Sequence, residues 1–176
     1  MQTLDAGVTM PAEEIAMLDG STRTLGVPQD GFDWQAVIVY RGLHCPICNT
    51  YLAQLDALKG KFHDAGIDVI AISADPKEKA QQIVDDHNLT VPIGYDLSIA
   101  QMHTLGLYVS DPRSPQETDR PFAEPATFVI NGQGELQIVD VSNAPFARPE
   151  LEGLLNGIKF VRDKGYPIRG THKPAA

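Results

Sequence analysis

With 176 residues, 43% of them hydrophobic and 21% charged, the chain is long enough to bury a real core and has an ordinary soluble composition. Its 14 basic residues stand against 23 acidic ones, a net charge of −9, which argues against a nucleic-acid partner. No stretch approaches the ~18 apolar residues of a membrane span, and Met1 to Gly7 lack the basic start and apolar run of a secretory signal. The expectation is therefore a cytoplasmic protein with no membrane partner.

The elements follow in order. Glu13 to Gly26, with Asp19-Gly20 in its middle, reads as an N-terminal hairpin at 13–26. Residues 35–41 form a buried strand, and Pro46 to Ala65 a helix whose Tyr51, Leu55, Leu58 and Phe62 recur on one core-facing stripe. Pro46 suits a first helical turn, where its missing N–H would be unpaired anyway. Ile67 to Ile72 reads as a central strand, Pro76 to His87 as a polar helix, 91–94 as a short extended piece and Ser98 to Leu105 as a second short helix. Residues 110–125, rich in proline and charge, read as a long surface loop. Ala126 to Asn131 and Glu135 to Val141 make a hairpin through Asn131-Gly132-Gln133-Gly134. Leu151, Leu154, Leu155, Ile158 and Val161 give a last amphipathic helix, ahead of a tail at 165–176. This order implies one α/β domain over 1–164, a mostly parallel sheet with helices on both faces and an antiparallel hairpin at one edge.

The chain's two cysteines lie together in Cys45-Pro46-Ile47-Cys48, between the first core strand and its helix. The unpaired N–H groups and positive end of a helix N-terminus stabilise a thiolate, the reactive form of cysteine. A scaffold disulfide would normally close a longer loop, so this spacing points to redox chemistry rather than stapling. Zinc would need a second ligand pair, and the remaining histidines at 63, 87, 103 and 172 are scattered, so no metal is expected.

A C-x-x-C pair after the first core strand, with Glu124-Pro125-Ala126-Thr127-Phe128 before a late strand, resembles the thioredoxin fold. The inserted helix and longer spacing resemble its peroxiredoxin-like branch, the alkyl hydroperoxide reductase/thiol-specific antioxidant group. The fold implied is a thioredoxin fold with peroxiredoxin-like extensions around a central mixed sheet. In that branch Cys48 falls on the peroxidatic cysteine. The threonine position of the signature is Cys45, the proline position is Arg41, and the arginine position of the late strand is Pro125. The framework is similar to a peroxiredoxin and the thiol pair to a thioredoxin.

The resemblance implies a thiol–disulfide oxidoreductase and antioxidant enzyme of cell redox homeostasis. Cys45 would be an exposed nucleophile attacking a protein or small-molecule disulfide, and Cys48 would resolve. An external thiol would supply electrons, and the only redox group would be the Cys45–Cys48 disulfide, with no further cofactor. The alternative is a peroxidase in which Cys48 attacks a hydroperoxide and Cys45 condenses with the sulfenic acid. A non-catalytic redox-sensing or binding module is the third reading. Pro125 is a candidate cis-proline that would orient substrate. Thr127 follows in the same segment. His44 either favours the Cys45 thiolate or is a solvated strand-end residue. Arg41 either charges the site or forms a salt bridge, and Glu124 is either a buried base for Cys48 or a surface loop residue. A homodimer is expected by fold analogy.

Overall fold

The structure is a computed structural model and describes residues 3–172. The readings of positions 1–2 and of the tail's last stretch, 173–176, lie outside the described residues. Glu14–Met17 (β1) and Thr22–Thr24 (β2) form the expected hairpin, and Trp34–Val39 (β3) leads into the helix Pro46–Asp64 (α1). Ile67–Ile72 (β4), Lys77–His87 (α2), Ile93–Tyr95 (β5) and Ile99–Thr104 (α3) follow. The chain then forms Val109–Ser110 (β6), Phe122–Ala123 (β7), Ala126–Ile130 (β8), Leu136–Val141 (β9) and Leu151–Lys164 (α4).

Seven strands make one mixed sheet in the order β2-β1-β5-β4-β3-β8-β9. β4 runs parallel to β3 and β5, and every other pairing is antiparallel. The expected mostly parallel sheet is thus corrected. The N-terminal hairpin adds to β5 through Ala16 and Met17, so an antiparallel hairpin closes each edge instead of one. A buried ion pair fixes the first hairpin. Arg23 of β2 donates to both carboxylate oxygens of Asp68 at 3.1 Å, which accounts for an acid inside the otherwise apolar β4.

Alternation along β3 divides the core. Ala36 and Ile38 face one cluster with α1, α2 and α4, through Leu52, Leu55, Phe62, Ile83, Leu155 and Ile158. Val37 and Val39 face a second with α3, the first hairpin and β7, through Ile15, Met17, Met102 and Phe122. Ser98 and Gln101 close a capping box on α3, so that short helix begins where Ser98 places it.

Residues 110–125 are more ordered than a surface loop. β6 and β7 pair as a separate two-stranded ribbon, with Phe122, Ala123 and Glu124 buried. Lys79 holds Asp119 at 2.6 Å and Arg120 holds Asp96 at 3.4 Å, so the ribbon's turn is tied to the body. The alternating apolar signal was hidden because only two residues per strand pair.

Candidate active site

The local geometry begins with the turn between β3 and α1. The Asp75 carboxylate accepts from the Leu43 N–H at 2.7 Å and lies directly beneath Gly42. Gly42 has φ +138°, and a Cβ there would come within 2.6 Å of that carboxylate, so both conformation and space require glycine. Burial raises the pKa of Asp75 above the usual carboxylate range, with the Leu43 N–H opposing the shift. The turn then returns the chain by Cys45 N–H donating to Gly42 O at 3.1 Å.

Cys45 is the N-cap of α1 in extended backbone (φ −110°, ψ 96°), and its sulfur accepts the Cys48 N–H at 3.3 Å. Pro46 takes the first helical position as expected. The two sulfurs are joined as a disulfide with their Cα atoms 5.3 Å apart. The expected exposure of Cys45 is corrected: it is 2% exposed and Cys48 0%, while Ile47 between them is 49% exposed. N-cap geometry turns the Cys45 sulfur back over the first turn, leaving Pro46 and Ile47 as the outer face.

A second element meets the pair from the segment between β9 and α4. Arg148 Nη2 donates to Cys48 Sγ at 3.1 Å, and its Nε donates to Pro145 O at 2.7 Å. The guanidinium lies over the Tyr51 ring at 4.5 Å, and the Tyr51 hydroxyl donates to Pro149 O at 2.7 Å. Tyr51 of α1 thus carries the cation and anchors the backbone of the residue after it. Among the described residues no carboxylate forms an ion pair with Arg148, and its buried Nη1 has no hydrogen-bond partner. Burial lowers the pKa of Arg148 from its usual value and pushes that of Tyr51 up to about 12, so Tyr51 remains a neutral phenol. Arg148 also lines an open cleft of about 540 Å³ with Tyr108, Asp140, Ser142, Asn143 and Pro149.

The residues named from sequence are placed as follows. Arg41 stacks on the Phe122 ring at 4.8 Å and ion-pairs with Glu124 at 3.2 Å and Glu117 at 3.7 Å. Glu124 is buried, not a surface residue, and its other oxygen accepts from Ser110 Oγ at 2.7 Å. Its two oxygens are therefore turned to Arg41 and Ser110. His44 packs edge-on to Phe122 at 4.5 Å with both ring nitrogens buried and unpartnered. Burial first, and then the charge of Arg41, lowers its pKa, so it is a neutral imidazole near neutral pH. Thr127 is buried on β8 opposite Ile38 and flanks the Tyr51 hydroxyl.

Pro125 is corrected too, since the described residues contain no cis peptide bond. The chain runs extended from β7 into β8, with Glu124 N–H donating to Tyr108 O at 2.8 Å and Pro125 O accepting from Ser142 N–H at 2.9 Å. A trans bond keeps both strand pairings continuous, and the backbone groups there are engaged within the protein. Sequence reasoning missed Arg148 and Asp75. For Arg148 a signal existed: it is the single charge in Ser142-Asn143-Ala144-Pro145-Phe146-Ala147-Arg148-Pro149. Among the described residues, no three His, Cys, Asp or Glu side chains gather as a metal-holding group. No helix there is long and apolar enough to cross a membrane.

Among curated proteins the chain is 28% identical over 119 residues to thiol-disulfide oxidoreductase ResA of Halalkalibacterium halodurans, a match covering 67% of this chain and 58% of that relative. Among solved structures it is similar to a mutant of peroxiredoxin 6 of Arenicola marina, at 20% identity and a TM-score of 0.74, covering 98% of this chain and 81% of that one. The AhpC of Mycobacterium bovis, at 19% identity and a TM-score of 0.75, is covered completely by 98% of this chain. A peroxiredoxin-like protein from Aquifex aeolicus gives 18% identity and a TM-score of 0.75 over 92% of this chain and 90% of that one. These structures share the thioredoxin-type fold of the peroxiredoxins. Residues 7–139, which include both cysteines and β1 to β8, match the AhpC/TSA family, and the chain belongs to it.

Proposed function

We propose that the protein is a thiol–disulfide oxidoreductase whose Cys45 attacks a substrate disulfide. The observation that carries this reading is the placement of Cys45 Sγ at the N-cap of α1, accepting the Cys48 N–H at 3.3 Å and bonded to Cys48 one turn on. The N–H and the helix end stabilise a Cys45 thiolate once the pair is reduced. That thiolate attacks one sulfur of a substrate disulfide, forms a mixed disulfide and expels the other sulfur as a thiolate. Cys48 then attacks Cys45 Sγ, closes the intramolecular disulfide and releases the substrate's remaining thiolate, so two electrons pass to substrate. An external dithiol restores the pair by the reverse sequence. No further cofactor enters these steps, and the vicinal thiols assign the work to a reducing compartment such as the cytoplasm. The relative's name, thiol-disulfide oxidoreductase, supports the same chemistry.

The test is insulin-disulfide reduction by the dithiol-reduced protein. We expect turnover in the wild type and its loss in Cys45→Ser. Retained turnover in that variant would overturn the assignment of the nucleophile.

Arg148 at Cys48 favours a second reading, hydroperoxide reduction. The Cys48 thiolate would attack the peroxide oxygen, take one oxygen as sulfenic acid and release an alcohol or water. Cys45 would then displace water to form the disulfide. Cys45 and Pro125 replace two groups that peroxidases of this fold use, so disulfide exchange is the primary reading. Negligible peroxide consumption by the reduced protein would eliminate the second.

A further inference from the structure

We propose that Asp75 is a positioning residue for the exchange reaction: through the Leu43 N–H it holds the turn that sets Cys45 Sγ against the Cys48 N–H. The inference rests on the exchange reading for the thiol it serves and on geometry for its substance. Asp75 follows β4 and is 3% exposed. Among the described residues it forms no ion pair, and the Leu43 N–H at 2.7 Å is the one hydrogen bond its carboxylate accepts. Lys79 and Arg120, whose charges reach it, are bound to Asp119, and Arg120 also to Asp96. A buried carboxylate with so little compensation costs stability, and the one group it serves is the turn ahead of Cys45.

The turn's other ties lead to the same sulfur. Leu43 O accepts from Asn49 Nδ2 at 3.3 Å, so one residue is held by its N–H from the end of β4 and by its C=O from α1. Gly42 O accepts the Cys45 N–H at 3.1 Å, and Cys45 O accepts the Asn49 N–H at 3.1 Å. Gly42, at φ +138°, lies against the Asp75 carboxylate with no room for a side chain. Cys45 therefore enters α1 in one extended conformation, φ −110° and ψ 96°, with its sulfur 3.3 Å from the Cys48 nitrogen. Without the tie at Leu43 the turn loses its hold on the sheet, and Cys45 is free to swing off the N-cap position.

In the cycle, the Cys45 thiolate gives its electron pair to a substrate sulfur, a mixed disulfide forms, and the other substrate sulfur leaves with the electrons of the broken bond. Asp75 touches none of these atoms. The N–H and helix end that stabilise the thiolate act only within the first turn of α1, so the sulfur must be kept there. The negative charge of Asp75 would oppose an anion at Cys45, so its contribution is the hydrogen bond to Leu43 and not its field.

The experiment titrates Cys45 alone in the Cys48→Ser protein by thiolate ultraviolet absorbance, and follows insulin reduction with both cysteines present. Asp75→Ala is expected to raise the Cys45 ionisation by about one pH unit, the worth of a hydrogen bond to a charged group. Below that ionisation about tenfold fewer thiolates, each about threefold more nucleophilic, should lower insulin turnover about threefold. Asp75→Asn keeps an oxygen for the Leu43 N–H and should rescue both readouts. Asn49→Ala frees Leu43 from the helix side only and should give about half the shift. Arg23→Met breaks the buried pair with Asp68 near the other end of β4, and should cost stability while leaving the Cys45 titration in place. Arg148→Met is the contrast at the other thiol: read in Cys45→Ser, it should raise the Cys48 ionisation by about one to two pH units, where Asp75→Ala should leave it unchanged. An unchanged Cys45 titration in folded Asp75→Ala, an equal shift in Arg23→Met, or Asp75→Asn behaving as Asp75→Ala overturns the inference. Should Asp75→Ala fail to fold, Asn49→Ala decides, and no shift there overturns it. If the wild type reduces no insulin while the Cys45 shift and its rescue are present, the exchange reading fails and the positioning of Cys45 by Asp75 stands.

Discussion

Two arginines flank the disulfide, and their surroundings differ in a way that separates structure from chemistry. Arg41 comes from the end of β3 and meets Glu124, Glu117 and the Phe122 ring of the ribbon. Arg148 comes from the segment between β9 and α4 and meets Cys48, a carbonyl and the Tyr51 ring. The first cation is paired with two carboxylates, Glu124 and a Glu117 that it shares with Arg113, and has little field left for a sulfur a few residues on. The second has none, so its field acts on the sulfur it touches. Charge near a thiol is therefore not enough; what matters is whether another group has already neutralised it. The ribbon side holds the loop's shape, and the β9–α4 side brings its cation to the sulfur of Cys48.

The strongest challenge to this division is on the ribbon side. Gly42→Ala places a methyl against the Asp75 carboxylate at a φ that suits only glycine, and should cost about 3 kcal/mol of stability in denaturant unfolding. Arg41→Met leaves Glu124 buried without its cation, and we expect a loss of about 2 kcal/mol in oxidised and reduced protein alike. Arg148→Met, by contrast, should change the oxidised protein by less than about 1 kcal/mol, because it removes a poorly compensated cation together with one carbonyl hydrogen bond and a weak one to the Cys48 sulfur. Equal destabilisation by the two substitutions would break the distinction.

The sequence showed the thiol pair, its helix and most strands because each is a local pattern. Pro46 after an apolar run marks a helix start, and the stripe from Tyr51 to Phe62 marks its buried face. What it hid depends on contacts far apart in the chain. Arg148 lies 100 residues from the sulfur it meets, and Asp75 lies 32 from the N–H it accepts. Arg41 and Glu124 were both visible as candidates, but nothing local said that they pair with each other and not with a thiol. The Pro125 expectation failed for a related reason: strand pairing on both sides sets that backbone, and a tripeptide pattern does not encode it. The sheet's second antiparallel edge was missed because β1 and β5 pair across a wide separation.

The next effect is a pH dependence on the ribbon side. Burial raises the folded pKa of Asp75 above its unfolded value, so the folded protein binds that proton more tightly. Between the two values the native state holds more protons than the unfolded chain, and stability falls as pH rises through this window. Asp75→Asn keeps an oxygen for the Leu43 N–H and removes the ionisation. Its stability should therefore decline less than the wild type's as pH rises above about 4, the ordinary carboxylate value, in denaturant unfolding. Its Cys48 titration should match the wild type's. A shifted titration would mean that the ribbon side reaches the sulfur after all.

The smallest effect divides the β9–α4 side within itself. Tyr51 supports Arg148 in two ways, by its ring under the guanidinium and by its hydroxyl on Pro149 O. Tyr51→Phe keeps the ring and loses the hydrogen bond, so about 1 kcal/mol of stability should disappear. The ring still carries the cation, and the Cys48 ionisation should move by less than about half a unit, well short of the Arg148→Met shift. A shift as large as that of Arg148→Met would place the control of Cys48 in the loop's anchoring to α1. A small one leaves it with the guanidinium, because the loop can loosen at Pro149 while Pro145 O and the aromatic face still aim Nη2 at the sulfur.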